Sequence, residues 1–431
     1  MEPKFDDGHS ITVNLLDGHK KLHQNQNMNQ DGNGIHRPAS GQTSFSKTCF
    51  NGINALSGVG ILSVPYALAC GGWLSLFFLL IIAASTFYTG LLIQRCMVMD
   101  CRIKSYPDIG ERAFGSVGRT VVSIVMNLEL YMVATGFLIL EGDNLDYLIP
   151  NLKLELWGIV IGGKPSLVIL IGLLILPTVL LNDMSVLSYI SASGVIASVT
   201  LLGSMLWASA TDGIGIHADD ALVYWKGIPT AVSLYSFCYC AHPVFPTLYT
   251  SMENPTQFSK VLILCFLACT ISYASMAILG YLMFGPDVLS QVTLNLPTHK
   301  ISSKVAILTT LINPIAKYAL MVKPLVNAME NLSASHCNKK GCSLVIRTSL
   351  VISTVIVAVA IPLFAYLMSL VGAFLSITAS VILPCLCFLK ISGIYRTLGV
   401  EMIMVSGIMV MGVAIMVVGT YTSVLEIYGH L

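Results

Sequence analysis

The chain has 431 residues, a formal net charge of +1, 55% apolar residues and only 10% charged ones, and its mean hydropathy is +0.78. A soluble domain carries about 25% charged residues, so a soluble globule of this composition would lack the polar surface to cover itself. The apolar content equally excludes a disordered chain, and the charge balance argues against a nucleic-acid partner. What remains is an integral membrane protein, with membrane lipid as its solvent.

Residues 1–44 form a polar tail, and the stretch from His23 to Gly34 is rich in Asn, Gln and Gly. Such a segment cannot bury a core, so disorder is predicted there. It lacks the basic and apolar regions of a signal peptide, so the first apolar segment is predicted to stay in the protein. From Phe45 onward, apolar stretches alternate with short polar loops. They run over 45–70, 73–97, 119–148, 166–182, 185–210, 228–252, 259–284, 301–328, 344–364, 366–390 and 401–424. No barrel-like alternation is present, so every span is predicted to be a helix that satisfies its own backbone. The fold class predicted is all-α integral membrane, with eleven transmembrane helices. A membrane domain covers 45–424 and a short non-cytosolic tail covers 425–431.

Lys and Arg set the orientation. With the N-terminus in the cytosol, sixteen basic residues lie on the cytosolic side and five on the other, with Lys317 and Lys323 left inside the eighth span. The sequon at Asn331 then falls in the cytosol and should stay unmodified. Of the twelve cysteines, Cys49, Cys70, Cys238, Cys240, Cys265, Cys269, Cys385 and Cys387 lie in apolar stretches, where Cys behaves as a small hydrophobe. Cys96, Cys101, Cys337 and Cys342 fall in or beside cytosolic loops, so no structural disulfide is expected. His336, Cys337 and Cys342 match no zinc spacing. Neither a metal nor a cofactor is predicted.

Two spans carry helix breakers near their middle. The first reads Asn51-Gly-Ile-Asn-Ala-Leu-Ser-Gly-Val-Gly60 before Ile-Leu-Ser-Val-Pro65, with Ser57, Gly58 and Gly60 clustered. Glycine frees the backbone there. The sixth reads Ser236-Phe-Cys-Tyr-Cys-Ala-His-Pro243-Val-Phe-Pro246, where two prolines remove donors and His242 is biased away from helix. The two spans are five helices apart. Five is odd, so a second five-helix unit starts on the opposite side of the membrane. That is the arithmetic of two inverted five-helix repeats plus one extra helix, in which paired broken helices mark the binding site. The half-helix beginning near Ile61 offers N–H groups to an anion. The carbonyls near Leu56 and Ser57 can receive an ammonium, so a zwitterionic amino acid matches both ends. Close helix packing at the glycines and an ordinary proline kink are the plainer readings.

Ionisable groups at membrane depth are costly and usually functional. Glu129 lies about ten residues, or ~15 Å at helical rise, inside the third span. A carboxyl removed from water can bind and release a proton near neutral pH, so Glu129 is the candidate proton carrier, against the alternative of structural pairing with a buried base. Glu141, Asp143 and Asp146 are expected to face a vestibule on the far side. Lys317 needs a carboxylate or a carbonyl cage, and its ammonium would stand where a sodium-coupled relative holds a sodium ion; snorkelling is the plainer reading. His242 either titrates or donates a hydrogen bond to a freed carbonyl, and the second reading is favoured.

The motif from Asn51 to Tyr66 with Gly71-Gly-Trp73, then Ser105-Tyr-Pro-Asp-Ile-Gly110 and Ala113-Phe-Gly115, resembles the amino acid/auxin permease family. Leu138-Ile-Leu-Glu-Gly-Asp-Asn-Leu145 and Tyr249-Thr-Ser-Met-Glu-Asn-Pro255 resemble its vacuolar amino acid transporter branch. The resemblance covers about residues 45–424. It implies transport of neutral amino acids coupled to or exchanged against protons, with no enzyme activity, most often at a vacuolar membrane. It places the substrate at the two breaks, which here are Ser57 to Gly60 and Cys238 to Pro243; the residues predicted to touch it are Asn54, Ser57, Gly58, Val59 and Gly60, with Tyr235, Cys238 and Tyr239 opposite. The residues themselves, apart from the resemblance, assign proton and ion coupling to Glu129, Lys317 and His242. Helices 1, 2, 6 and 7 would rock against 3, 4, 5 and 8 in alternating access. A plasma-membrane carrier of an organic acid such as auxin or GABA is a second reading, and an amino acid sensor is a third.

Overall fold

The structure is a computed structural model that describes residues 43–150, 152–156, 159–180, 186–211, 217, 221–333, 339–396 and 399–430. The tail through residue 42, the Asn182-Asp183 turn, His336 and Cys337 lie outside the described residues. Apart from one short hairpin, the described elements are helical. The first apolar stretch is α1 (Phe45–Leu56), a 3-10 segment (Val59–Leu62) and α2 (Val64–Gly71). Then follow α3 (Ser75–Met99), α4 (Tyr106–Leu148), a hairpin of β1 (Lys153–Leu156) and β2 (Ile159–Gly162), α5 (Lys164–Leu180) and α6 (Val186–Thr211). The sixth stretch is α7 (Ile228–Cys238), a 3-10 turn (His242–Val244) and α8 (Phe245–Ser251). Next come α9 (Phe258–Phe284), α10 (Ile301–Ser333) and α11 (Lys339–Ala360). The chain ends with α12 (Phe364–Leu370), α13 (Leu383–Ser392) and α14 (Val400–His430).

Among the described residues, eight helices are long and apolar enough to cross a membrane, and Lys164–Leu180 is a shorter apolar helix. The first and sixth stretches are built from shorter pieces. The protein is therefore an all-α multi-pass membrane protein. The antiparallel hairpin, in which Lys153 pairs with Gly162 and Leu156 with Ile159, was not foreseen and decorates a loop.

Two departures from the predicted boundaries have local causes. The third span starts earlier, at Tyr106, because Ser105 and Asp108 form a capping box with Pro107 in the first turn. It then bends at Gly115, whose φ of 69° is a conformation that glycine adopts without strain. The tenth span is interrupted between α12 and α13 by π-helical turns over Val371–Ser376 and Thr378–Ile382. A π turn breaks the regular backbone ladder. Side chains from neighbouring helices reach its carbonyls: Tyr106 Oη donates to Ala379 O at 2.5 Å and Thr89 Oγ1 to Ser380 O at 2.6 Å.

The buried core runs through α2, α3, α4, α7, α9 and α12 and is rich in large side chains such as Tyr235, Tyr273, Phe137 and Phe245. By contrast α14 leaves Val400, Ile403, Val410, Val417 and Tyr421 exposed. An exposed apolar helix face of this length is what a lipid solvent permits.

Candidate functional site

Both broken spans part where the glycines and prolines stand. At the first break Ser57 (ψ 72°) and Gly58 (ψ −168°) leave the helical region. The carbonyls that end α1 lose their helical partners and the N–H groups opening the 3-10 segment at Val59 and Gly60 have no preceding turn. At the second, Cys238 ends α7, and the chain resumes as a short 3-10 turn at His242. The two breaks touch. A Cβ added at Gly60 would lie 2.7 Å from Cys238 Sγ and 3.3 Å from its Cα, so only a glycine lets these backbones approach so closely.

Two side chains hold the freed carbonyls, and a third contact ties the Ser57 side chain to α6. Lys317 Nζ, from α10, donates to Ser57 O at 2.8 Å and to Asn54 O at 3.0 Å. Lys317 is only 2% exposed and no carboxylate pairs with it among the described residues, so it sits in a carbonyl cage rather than snorkelling. Tyr273 Oη, from α9, lies 2.5 Å from Leu56 O and 3.1 Å from Cys238 O. Its single proton serves one carbonyl at a time, and the hydroxyl bridges the two breaks. Ser57 Oγ meets Ser198 Oγ of α6 at 2.7 Å. The carbonyls offered in the sequence to a substrate ammonium are therefore already engaged in this conformation by groups of the protein itself.

The remaining residues predicted to touch substrate take varied places. Asn54 is buried and its Oδ1 has no hydrogen-bond partner. Gly58 and Val59 line a small cavity with Ser198 and Leu201 of α6 and Thr310 and Pro314 of α10. Its water-accessible volume of about 20 Å³ holds about one water, so an amino acid enters only after this region opens. Tyr235 Oη is committed to Ser75 Oγ of α3 at 3.0 Å. Tyr239 Oη meets Thr270 Oγ1 at 2.9 Å, and its ring stacks on Phe266 at 5.8 Å.

Glu129 is 2% exposed. It faces Ser376 of the π-helical stretch and Cys240 of the second break, and its Oε1 has no hydrogen-bond partner. Among the described residues no base forms an ion pair with it, so structural pairing does not explain its burial. His242 Nε2 lies 2.9 Å from both Thr89 Oγ1 and Thr86 O. The Thr89 hydroxyl spends its proton on a carbonyl, so Nε2 must carry the hydrogen and donate it. The ring thus ties the second break to α3.

Tyr273 and Ser198 were not foreseen. Each lies in an apolar run with nothing locally unusual, and only the tertiary structure brings them to the breaks. The glycine contact carries its own test. Gly60→Val must push Cys238 and its backbone away, at a cost of about 1–3 kcal/mol for overpacking. Thermal unfolding should register that loss, and uptake should fall more than the stability does; Gly60→Ala with Cys238→Ala should recover part of both.

A helical membrane protein whose broken first and sixth spans meet around a caged ammonium has the architecture of a membrane transporter. The chain belongs to the transmembrane amino acid transporter family, the amino acid/auxin permeases, whose model matches residues 41–425. Two Arabidopsis thaliana relatives are similar along most of their length. "Amino acid transporter AVT1I" is 56% identical over 403 residues, covering 93% of this chain and all of the relative. "Amino acid transporter AVT1J" is 59% identical over 392 residues, covering 90% and 93%. Among solved structures, a Na+-coupled sialic acid symporter in a substrate-bound outward-open state superposes with a TM-score of 0.52. It is 12% identical, with 90% of this chain and 91% of that chain covered, which is a likeness of fold. The protein is an amino acid transporter by family and not an enzyme.

Proposed function

We propose that the protein is a secondary active transporter that moves neutral amino acids across a vacuolar membrane, coupled to or exchanged against protons, by alternating access. The observation that carries the reading is the meeting of the two breaks at Gly60 and Cys238 beside Lys317. Helix ends of both polarities converge there, the N–H groups of Val59 and Gly60 for a carboxylate and carbonyls for an ammonium. In this reading the chain crosses the membrane eleven times, as two inverted five-helix repeats and a last helix. The polar tail of residues 1–44 is cytosolic and residues 425–431 lie on the far side. The first and sixth spans, with α3 and α9, rock against α4, α5, α6 and α10. Asn54, Ser57, Gly58, Val59, Gly60, Tyr235, Cys238 and Tyr239 surround the substrate. Lys317 occupies the place of a coupling cation, Glu129 carries the proton, and His242 holds the second break in position.

The test is uptake by the purified full chain in liposomes, using labelled amino acids with and without an imposed pH gradient. Gradient-dependent accumulation of neutral amino acids is expected. Accumulation of auxin or GABA in their place would make the protein an organic-acid carrier, and saturable binding without flux would make it a sensor.

A further inference from the structure

The acidic group at the C-terminal end of α4 divides in a way that the transport reading does not use. Asp143 and Asp146 were expected to share a vestibule with Glu141. Residues two apart on a helix point about 200° from one another. Asp143 pairs with Lys164 of α5 and accepts from Gln291 Nε2 at 2.8 Å. Glu141 points elsewhere, is 0% exposed, and neither of its carboxyl oxygens has a hydrogen-bond partner. An ionised carboxylate without a donor or a counter-charge is not tolerated at such a place. A protonated, neutral Glu141 meets that condition.

The turn of α4 beyond Glu141 is tied to the segment that follows α9. Asn144, one turn beyond Glu141, donates from Nδ2 to Gln291 Oε1 at 2.6 Å and accepts from Thr293 Oγ1 at 2.8 Å. Asn144, Gln291 and Thr293 are all fully buried. Tyr147 Oη adds a bond to Leu296 O at 2.8 Å. The segment 285–297, which links α9 to α10, is thus strapped to α4 over one turn beyond the carboxyl. The other ionisable groups on the surrounding elements are engaged or outward. Lys164 is held by Asp143 and by Pro362 O. Lys304 of α10 and Asp287 of the strap are exposed. Tyr366 is the ionisable residue of α12, and the second half of α11 has none. None of them is hydrogen-bonded to Glu141.

We propose that Glu141 is a second proton-binding site, about 18 Å along α4 from Glu129 at helical rise, which holds its proton while the 285–297 strap is closed and releases it when the strap lifts. Ionisation needs water or a donor, and lifting the strap admits water. By linkage, a proton bound only in the closed conformation stabilises that conformation, so acid on the strap side favours closure and alkali favours opening. The site deepens the proposed transport reading, and its effect on flux rests on that reading; the bound proton itself does not.

The experiment is infrared spectroscopy of the purified full chain in liposomes at neutral pH, comparing wild type with Glu141→Gln and Glu129→Gln. The carboxylic-acid carbonyl absorption should lose a separate component in each variant, roughly half of the buried-acid signal for Glu141. Spectra of wild type and Glu141→Gln that coincide in this band overturn the proposal, whether or not the protein transports anything. If Glu141→Gln fails to fold, Glu141→Asp replaces it and should keep the absorption at a shifted position; an unshifted band refutes the assignment. With transport established, uptake by wild type should vary with pH on the strap side and uptake by Glu141→Gln should not. A pH response retained by the glutamine variant counts against release of this proton on opening.

Discussion

Lys317→Met is expected to leave the protein folded and to cut amino acid uptake at least about tenfold, for reasons that separate stability from function. Two stability effects oppose each other. Removing the ammonium leaves Ser57 O and Asn54 O without its donors, at about 1–3 kcal/mol each. It also removes a buried cation that has no carboxylate partner, relieving a desolvation cost of several kcal/mol. The opposing effects are of similar size, so thermal unfolding should move little. The balance between conformations has no such compensation. Lys317 ties the end of α1 to α10, elements assigned to the moving and the fixed parts of the transporter. Losing two charge-assisted hydrogen bonds shifts that balance by about 2–4 kcal/mol, or roughly 30- to 700-fold. A shift this large traps the carrier away from the conformation described here. Uptake in liposomes measures the loss. The rate at which a maleimide reaches a Ser198→Cys probe, which lines the cavity at the first break, measures the shift. Sodium added to Lys317→Ala should restore part of the wild-type maleimide rate, because a small cation can take the place of the ammonium between the same carbonyls. A protein that unfolds with Lys317→Met, or transports normally with it, shows that the cage is only structural.

What was legible in the sequence is local, and what was not is tertiary. Ser57-Gly58-Val59-Gly60 and His242-Pro243 announce their breaks through backbone chemistry, and the structure parts both spans there. That Lys317 needed a carboxylate or a carbonyl cage followed from placing an ammonium in an apolar span; that carbonyls supply it, and which ones, did not. The π-helical stretch of the tenth span has no sequence signal, because its carbonyls are satisfied by Tyr106 and Thr89 from other helices. Tyr273 was invisible for the same reason: an ordinary tyrosine in α9 becomes a bridge because α1 and α7 end beside it. Glu141 and Asp143 are close in sequence but not in direction: helical geometry turns Asp143 toward Lys164 and leaves Glu141 fully buried on another face.

Glu129→Gln tests the other pole of the mechanism, and here stability and function should diverge most sharply. Glutamine has the shape of a protonated glutamate and cannot ionise. Glu129 is buried beside Cys240 and Ser376 with an oxygen that finds no donor, so the substitution replaces one neutral group with another if the acid is protonated at rest. Thermal unfolding should then change by less than about 1 kcal/mol. Had Glu129 been the carboxylate of a buried ion pair, removing it would cost about 3–5 kcal/mol by stranding its partner. Accumulation driven by an imposed pH gradient should fall to the level seen without a gradient, because the group proposed to carry the proton can no longer bind and release one. Exchange of labelled for unlabelled amino acid at equal pH should survive, since it requires the breaks and the Lys317 cage but no net proton movement. Gradient-driven accumulation that persists in Glu129→Gln would move coupling to another group, with Glu141 the next buried acid on the same helix. Loss of exchange together with accumulation would show instead that Glu129 shapes the substrate site itself.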